Sequence, residues 1–216
     1  MTDPWAFGWT QVLTIVGLVL TASIAGFGFR TFGRWKREKL EERKIEVAFD
    51  TLTIAYETKF VFQYIRGIMV HGYEWADMPK REGDSEDRRN RRGTFYASLK
   101  RIEQNKDFFD RVWQVQPKCM TVFGRQVEDT FLKLHQARRN IEVAAQMLAE
   151  EIDDPILTND QETRDLYKQL RRDLWDHGNF EADKDKVGKL LREFENELET
   201  VARPIVDQQF KPKTSR

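Results

Sequence analysis

The stretch VLTIVGLVLTASIAGFGFR, residues 12 to 30, most constrains what this chain can fold into. Nothing between Asp3 and Arg30 carries a charge, although charged side chains make up 33% of the sequence. Val12, Leu13, Ile15, Val16, Leu18, Val19, Leu20, Ile24, Phe27 and Phe29 make residues 9 to 29 apolar enough to cross a bilayer. About 20 such residues at a 1.5 Å helical rise cover the roughly 30 Å hydrocarbon layer. Each large aliphatic at the centre favours insertion by a few tenths of a kcal/mol, whereas one Arg or Asp there costs about 3 kcal/mol. No such residue is present, so insertion is favoured.

The flanks set an orientation. Trp5 and Trp9 stand where an interfacial aromatic belt lies, and Trp35 is placed to anchor the other end. Only Asp3 and the terminal amine precede the run, while Arg30, Arg34, Lys36, Arg37, Lys39, Arg43 and Lys44 follow it, against Glu38, Glu41 and Glu42. The positive-inside rule then predicts an external N-terminal segment (1–8), a transmembrane helix (9–29), a basic juxtamembrane segment (30–44) on an anionic inner leaflet, and a cytosolic remainder. A cleaved signal peptide needs positive charge before the apolar run, which is missing despite the small-x-small Ser23-Ile24-Ala25. A buried core helix is usually shorter and carries some charge. The localisation expected is the cell membrane, single-pass, with the C-terminus cytoplasmic.

Within the span, Gly17, Thr21 and Ala25 repeat every four residues, with Ala22 and Gly26 beside them. Small residues at that spacing let two helix backbones approach, although they are also common in spans generally. Gly28 and Gly33 are expected to loosen the helix at the membrane exit.

The chain has 36 basic and 36 acidic side chains. Zero net charge offers no basic surplus for nucleic acid, and the RRNRR run, residues 88 to 92, follows Glu82, Asp84, Glu86 and Asp87, which nearly cancel it. The single cysteine, Cys119, excludes an internal disulfide and suits a reducing compartment. Long stretches rich in Glu, Lys, Arg, Leu and Ala, sparse Gly and Pro, and no alternating β-branched run predict an all-α chain.

The predicted architecture after the span is a cytosolic bundle of about five helices over 45–203. Leu40, Val47, Ile54, Val61 and Ile68 recur every seven residues, widened by Ala48, Leu52, Ala55, Phe62 and Ile65, and predict one helix over 34–70. Residues 71–93, broken by Gly72, Pro79, Gly83 and Gly93, read as a mobile loop. A helix over 94–115, capped by Thr94, turns Phe95, Leu99, Ile102, Phe109, Val112 and Trp113 inward. From Pro117 to about Ile152, Met120, Val127, Leu134, Ile141 and Leu148 repeat the seven-residue period. The two long helices are expected to lie antiparallel with the shorter one packed across them. The same period suits a coiled coil between chains, although wide apolar faces favour an intrachain bundle. After Pro155, Thr158 and Gln161 have capping-box spacing for a helix to about His177, with Leu166, Tyr167, Leu170 and Leu174 on its stripe and Gly178 at its end. The last helix, about 184 to 203, places Val187, Leu191, Phe194, Leu198 and Val201 inward; Pro204 closes it, and 204–216 form a disordered tail.

Catalytic motifs are missing. His71, His135 and His177 are far apart, and none follows a Glu at the spacing of di-iron bundles. DKDKVG, residues 183 to 188, fails as an EF-hand because Val187 and Phe194 fall where oxygen ligands are needed. Glu150, Glu151, Asp153 and Asp154 read as a solvated helix end. Cys119 and His135, sixteen residues apart on one predicted helix, are roughly 24 Å apart along it, too far for a thiol–base pair. Asp176-His177 sits near a helix C-terminus, where a His is a dipole partner. No catalytic, cofactor-binding or metal-binding residue is predicted, and no cofactor. The function expected is a membrane-anchored scaffold or interaction module that binds a protein partner or forms a homo-oligomer. The alternatives are a tethered relay sensing lipid or tension and, third, an enzyme at the inner membrane face.

Overall fold

The computed structural model describes residues 8–150, 161–178 and 183–210. Trp5, Glu151, Asp153, Asp154, Pro155, Thr158 and the tail from residue 211 lie outside the described residues. Among the described residues the chain is all-helical: α1 (Trp9–Ile65), a short 3-10 helix (Gly72–Trp75), α2 (Glu86–Gln104), α3 (Lys106–Phe123), α4 (Val127–Glu150), α5 (Gln161–Leu174) and α6 (Lys186–Phe210). The chain divides into two units, Met1–Glu46 and Val47–Arg216.

In the first unit α1 is long and apolar enough to cross a membrane, with an 18-residue window of mean hydropathy 2.2, none of it buried. Two of the hydroxyls inside the run bond back to their own helix: Thr21 Oγ1 donates to Gly17 O and Ser23 Oγ to Val19 O, both at 2.8 Å. Such a bond satisfies the hydroxyl within the helix itself. The helix continues through Gly28 and Gly33 without a break, because two separated glycines cost only about 1 kcal/mol each. Beyond Arg30 the charged residues pair one turn apart, Arg34 with Glu38 at 3.0 Å, Lys39 with Glu42 at 2.6 Å and Arg43 with Glu46 at 3.0 Å, which supports a helix lacking a packed face.

In the second unit α1 ends at Ile65, five residues before the predicted end. Val47 and Ile54 of the seven-residue series are buried, Val61 packs on the core, and Leu40 and Ile68 are exposed. Asp50 pairs with Lys118 (3.1 Å) and Glu57 with Arg111 (2.5 Å), so α1 and α3 run antiparallel. Tyr56 donates to Glu199 (2.8 Å) while Ala48 and Leu52 cluster with Ala202 and Val206, so α6 is also antiparallel to α1. α4 is antiparallel to α6, through Thr130–Glu197 and Phe131–Phe194, and to α3, through Gln116–His135. It follows that α1 and α4 run in the same direction, correcting the predicted antiparallel pair. The interposed α3, which the sequence reading merged partly into each neighbour, reverses the chain once more.

α4 supplies the centre of the core. Val127, Phe131, Leu134, Ala137, Ile141, Ala144, Ala145 and Leu148 are all buried, packed by α2, α3, α5 and α6. Alanines at 137, 144 and 145 let neighbours approach; a wide apolar face of this kind is that of a bundle helix.

Several predicted boundaries move. The predicted 94–115 helix is two, broken at Asn105, and α2 begins at Glu86 with Ser85, not Thr94, as its cap; Ser85 Oγ accepts from Arg88 N at 3.3 Å. Thr94 lies within α2 and donates to Asn90 O. Pro117 neither ends nor begins a helix but sits inside α3, which stops at Gly124 with φ +93°. Pro204 is likewise inside α6, which continues to Phe210 with Ala202 and Val206 buried on either side of it; packing on α1 outweighs the lost backbone bond. Of the predicted tail 204–216, residues 204–210 are therefore helical. Residues 71–93 contain the 3-10 helix, the start of α2, and buried Glu74, Met78, Arg92 and Gly93. Glu74, Asp77 and Asp84 of that segment pair with Arg101, Lys100 and Arg92 of α2, which a composition-based loop assignment cannot register. Trp113, expected inward, is exposed, its ring stacked on His135 at 4.3 Å.

Candidate functional site

The most constructed polar region lies where α1 ends, and two buried arginines build it. Arg101 of α2 has 4% of its side chain exposed, as does its partner Glu74. Its Nε donates to Glu74 Oε2 at 2.5 Å and Nη2 to Oε1 at 3.0 Å. The same guanidinium reaches three carbonyls at the end of α1 and just beyond it: Tyr64 O (3.1 Å), Gly67 O (2.7 Å) and Met69 O (2.6 Å). A helix end leaves its last carbonyls without partners, and this side chain supplies donors for them. Its carbon also lies over the Tyr64 ring at 5.2 Å. The hydrogen-bonded guanidinium holds the Glu74 carboxyl below its ordinary range, against the opposing effect of burial.

Arg66 performs the reciprocal task. Its Nη1 and Nη2 bond Asp185 Oδ2 and Oδ1 at 3.0 and 2.9 Å, and Nη2 also donates to Arg172 O (2.7 Å) and Trp175 O (2.9 Å) at the end of α5. The Arg66 carbonyl accepts from Asp176 N at 3.0 Å. Asp185 also caps α6, accepting from Gly188 N at 2.8 Å. A Cβ on Gly188 would overlap the Asp185 carboxylate, so glycine is required for that approach. Nearby, burial raises the Asp173 carboxyl above its ordinary range, against Gln169, Lys186 and Arg66.

Two recesses flank these arginines. A cleft of about 490 Å³ is lined by Lys59, Phe62 and Arg66 of α1, Asp176, and Arg192 and Glu195 of α6. A shallower hollow of about 430 Å³ is rimmed by Tyr64, Ile68, Met69 and Tyr73 over Glu74 and Arg101. Acids and bases alternate in the cleft, and Arg66 is already engaged by Asp185 and the end of α5. The residues present hold elements together; nowhere among them is a nucleophile beside a base.

The chemical candidates from the sequence are not brought together. Cys119 and His135 fall on different helices, correcting the single predicted helix. Cys119 is buried with its sulfur 2.8 Å from Thr51 Oγ1, and burial pushes the thiol up to about 11. His135 bonds Gln116 at 3.1 Å, and burial with Arg138 nearby lowers its pKa. Asp176 accepts from Gly178 N, while His177 is exposed beyond the end of α5. His71 stacks on Tyr73 at 5.5 Å. Among the described residues no group of three or more His, Cys, Asp or Glu is arranged to hold a metal ion.

Of the predicted anchors, Trp9, Arg30, Arg34, Trp35, Lys36 and Arg37 are exposed on α1. Trp35 leans on Phe32 at 5.7 Å and Arg37 Nε donates to Gly33 O. Gly17, Thr21, Ala22, Ala25 and Gly26 are all exposed, and a Cβ at Gly17 or Gly26 meets nothing within 4 Å. The sequence reading missed Arg66, Glu74, Arg92, Arg101 and Asp185. Arg66 and Arg101 interrupt otherwise apolar inward positions beside Ile65 and Ile102, and that interruption was the available signal. No protein-family model, curated protein or solved structure matches the chain.

Proposed function

We propose that this protein is a single-pass scaffold of the cell membrane, with its N-terminal end outside and its helical bundle in the cytoplasm, where the bundle binds a protein partner or a second copy. The observation that carries the reading is the wholly exposed apolar run of α1, of mean hydropathy 2.2. Exposed continuously to water, such a surface far exceeds the apolar patches soluble monomers tolerate. The excess of Arg and Lys after the run supports the orientation, and basic residues within about a Debye length of an anionic leaflet add up to roughly 1 kcal/mol each. The bundle's engaged arginines and buried thiol support binding over catalysis as its role.

The test is fractionation of the full chain and of Leu18→Arg. Wild type is expected in the carbonate-resistant membrane pellet, with its C-terminal portion protected from external protease in intact cells. Leu18→Arg, costing about 3 kcal/mol at a span centre, is expected to shift protein to the soluble or aggregated fraction. Wild type in the soluble fraction after mild lysis would sink the proposal.

A relay is the second reading, favoured by one observation: α1 is a single helix from the apolar run into the core, with no break at Gly28 or Gly33. A two-residue insertion after Gly33 rotates one side of a rigid helix by about 200°. If register carries a signal, partner binding changes with that insertion; unchanged binding leaves the scaffold reading alone.

A further inference from the structure

We propose that a second copy of this chain packs in parallel on the outward face of α1, along Phe49, Thr53, Tyr56, Phe60 and Gln63. The proposal rests on the membrane reading for its parallel orientation and names the partner of that scaffold. The seven-residue series read from the sequence faces the core, through Val47, Ile54 and Val61. A second series, on the opposite side of the same helix, is open along most of its length; only Tyr56, at its edge, packs against α6. Phe49 is 45% and Phe60 69% exposed; Thr53 and Gln63 are exposed and Tyr56 is half-buried.

The spacings, 4, 3, 4 and 3 residues, are those of alternating a and d positions of a two-stranded coil. In a two-fold parallel contact every residue on the axis meets its own copy, so any charge there meets a like charge. All five positions are uncharged, in a chain where 33% of residues carry charge. The acids beside the line are already neutralised from α3, Asp50 by Lys118 at 3.1 Å and Glu57 by Arg111 at 2.5 Å. On the other flank Glu199 accepts the Tyr56 hydroxyl and Arg203 lies 3.3 Å from the same oxygen. The seam is thus uncharged along its length, closed at its edges, and bounded at its start by Glu46. Two chains held in one membrane share direction and meet at raised effective concentration, which a seam of this modest length requires.

The test is disulfide trapping of the full chain in native membranes, in a Cys119→Ala background. Thr53→Cys and Gln63→Cys each place a thiol beside its own copy, within reach of a disulfide after small movement. Arg139→Cys and Gln146→Cys, exposed on α4, serve as controls. Copper-phenanthroline is expected to convert Thr53→Cys and Gln63→Cys to dimer at least tenfold faster than the controls. Phe60→Glu in the Thr53→Cys chain is expected to bring trapping to the control level, with carbonate-resistant pelleting unchanged. Equal rates at all four positions, trapping untouched by Phe60→Glu, or a different protein trapped at Thr53→Cys in place of the dimer would each overturn the proposal. Pelleting, scored on the same samples, reports separately on the membrane reading.

Discussion

Replacing Arg101 with Met tests the account of how α1 is terminated. The substitution keeps a long flexible stem but removes the guanidinium that bonds both Glu74 oxygens and the carbonyls of Tyr64, Gly67 and Met69. Glu74, with 4% of its side chain exposed, is left buried beside no cation. Removing one partner of a buried ion pair typically costs about 3–5 kcal/mol, mostly because the survivor stays desolvated. A domain of this size has roughly 5–15 kcal/mol in total, so the loss is a large fraction of its stability. Adding Glu74→Leu removes the stranded charge. The double variant is expected to recover about 1–3 kcal/mol relative to additivity, as for groups in one network. The assay is denaturant unfolding of the detergent-solubilised full chain, followed by helical circular dichroism and tryptophan fluorescence. The pair also fixes a pH dependence. Glu74 is held below its ordinary range when folded, so the stabilisation is present above the unfolded carboxyl pKa and lost as pH falls through the folded one. The wild-type advantage over the double variant should therefore shrink on acidification below about pH 4. A single variant within about 1 kcal/mol of wild type, or a double variant no better than the single, would mean that Arg101 and Glu74 are not coupled in the folded chain.

Gly188→Ala pushes the Asp185 carboxylate off both Arg66 and the start of α6; a cost of about 1–3 kcal/mol is expected in the same unfolding assay. Gly93→Ala drives a methyl group into the Trp75 indole and should red-shift tryptophan emission, an effect absent in a Trp75→Leu background. With its thiol pushed up to about 11, Cys119 should react with iodoacetamide at pH 8 at least tenfold slower in the native chain than in denaturant. Asp173→Asn should raise the unfolding midpoint at pH 7, because burial disfavours the charged form. With the folded pKa above the unfolded one, that gain should vanish as pH falls through the folded value to about 4.

Helix content and most inward positions were legible because periodicity records which face is apolar: Val127, Leu134, Ile141 and Leu148 were read as a stripe and are buried. Boundaries were less legible. Proline at 117 and 204 looked like punctuation, yet tertiary contacts on either side keep both helices running. The break at Asn105 carries no Gly or Pro, so nothing local announced it. The arginine locks were hidden for a related reason. An Arg that interrupts an apolar face shows in the sequence, but what it locks is defined only by its carboxylate and carbonyl partners, and Glu74 and Asp185 lie 27 and 119 residues from Arg101 and Arg66.

By itself the sequence determined an uncharged helix long enough for a bilayer and a set of amphipathic helices after it, because hydropathy and its period are properties of residue order. The same period marked the Val47, Ile54 and Val61 face of α1 as the one that is buried. Helix direction came from tertiary packing instead: α1 and α4 run the same way because α3 and α6 each lie antiparallel to both. Residue order sets which face of a helix is apolar, whereas direction depends on which neighbour that face meets.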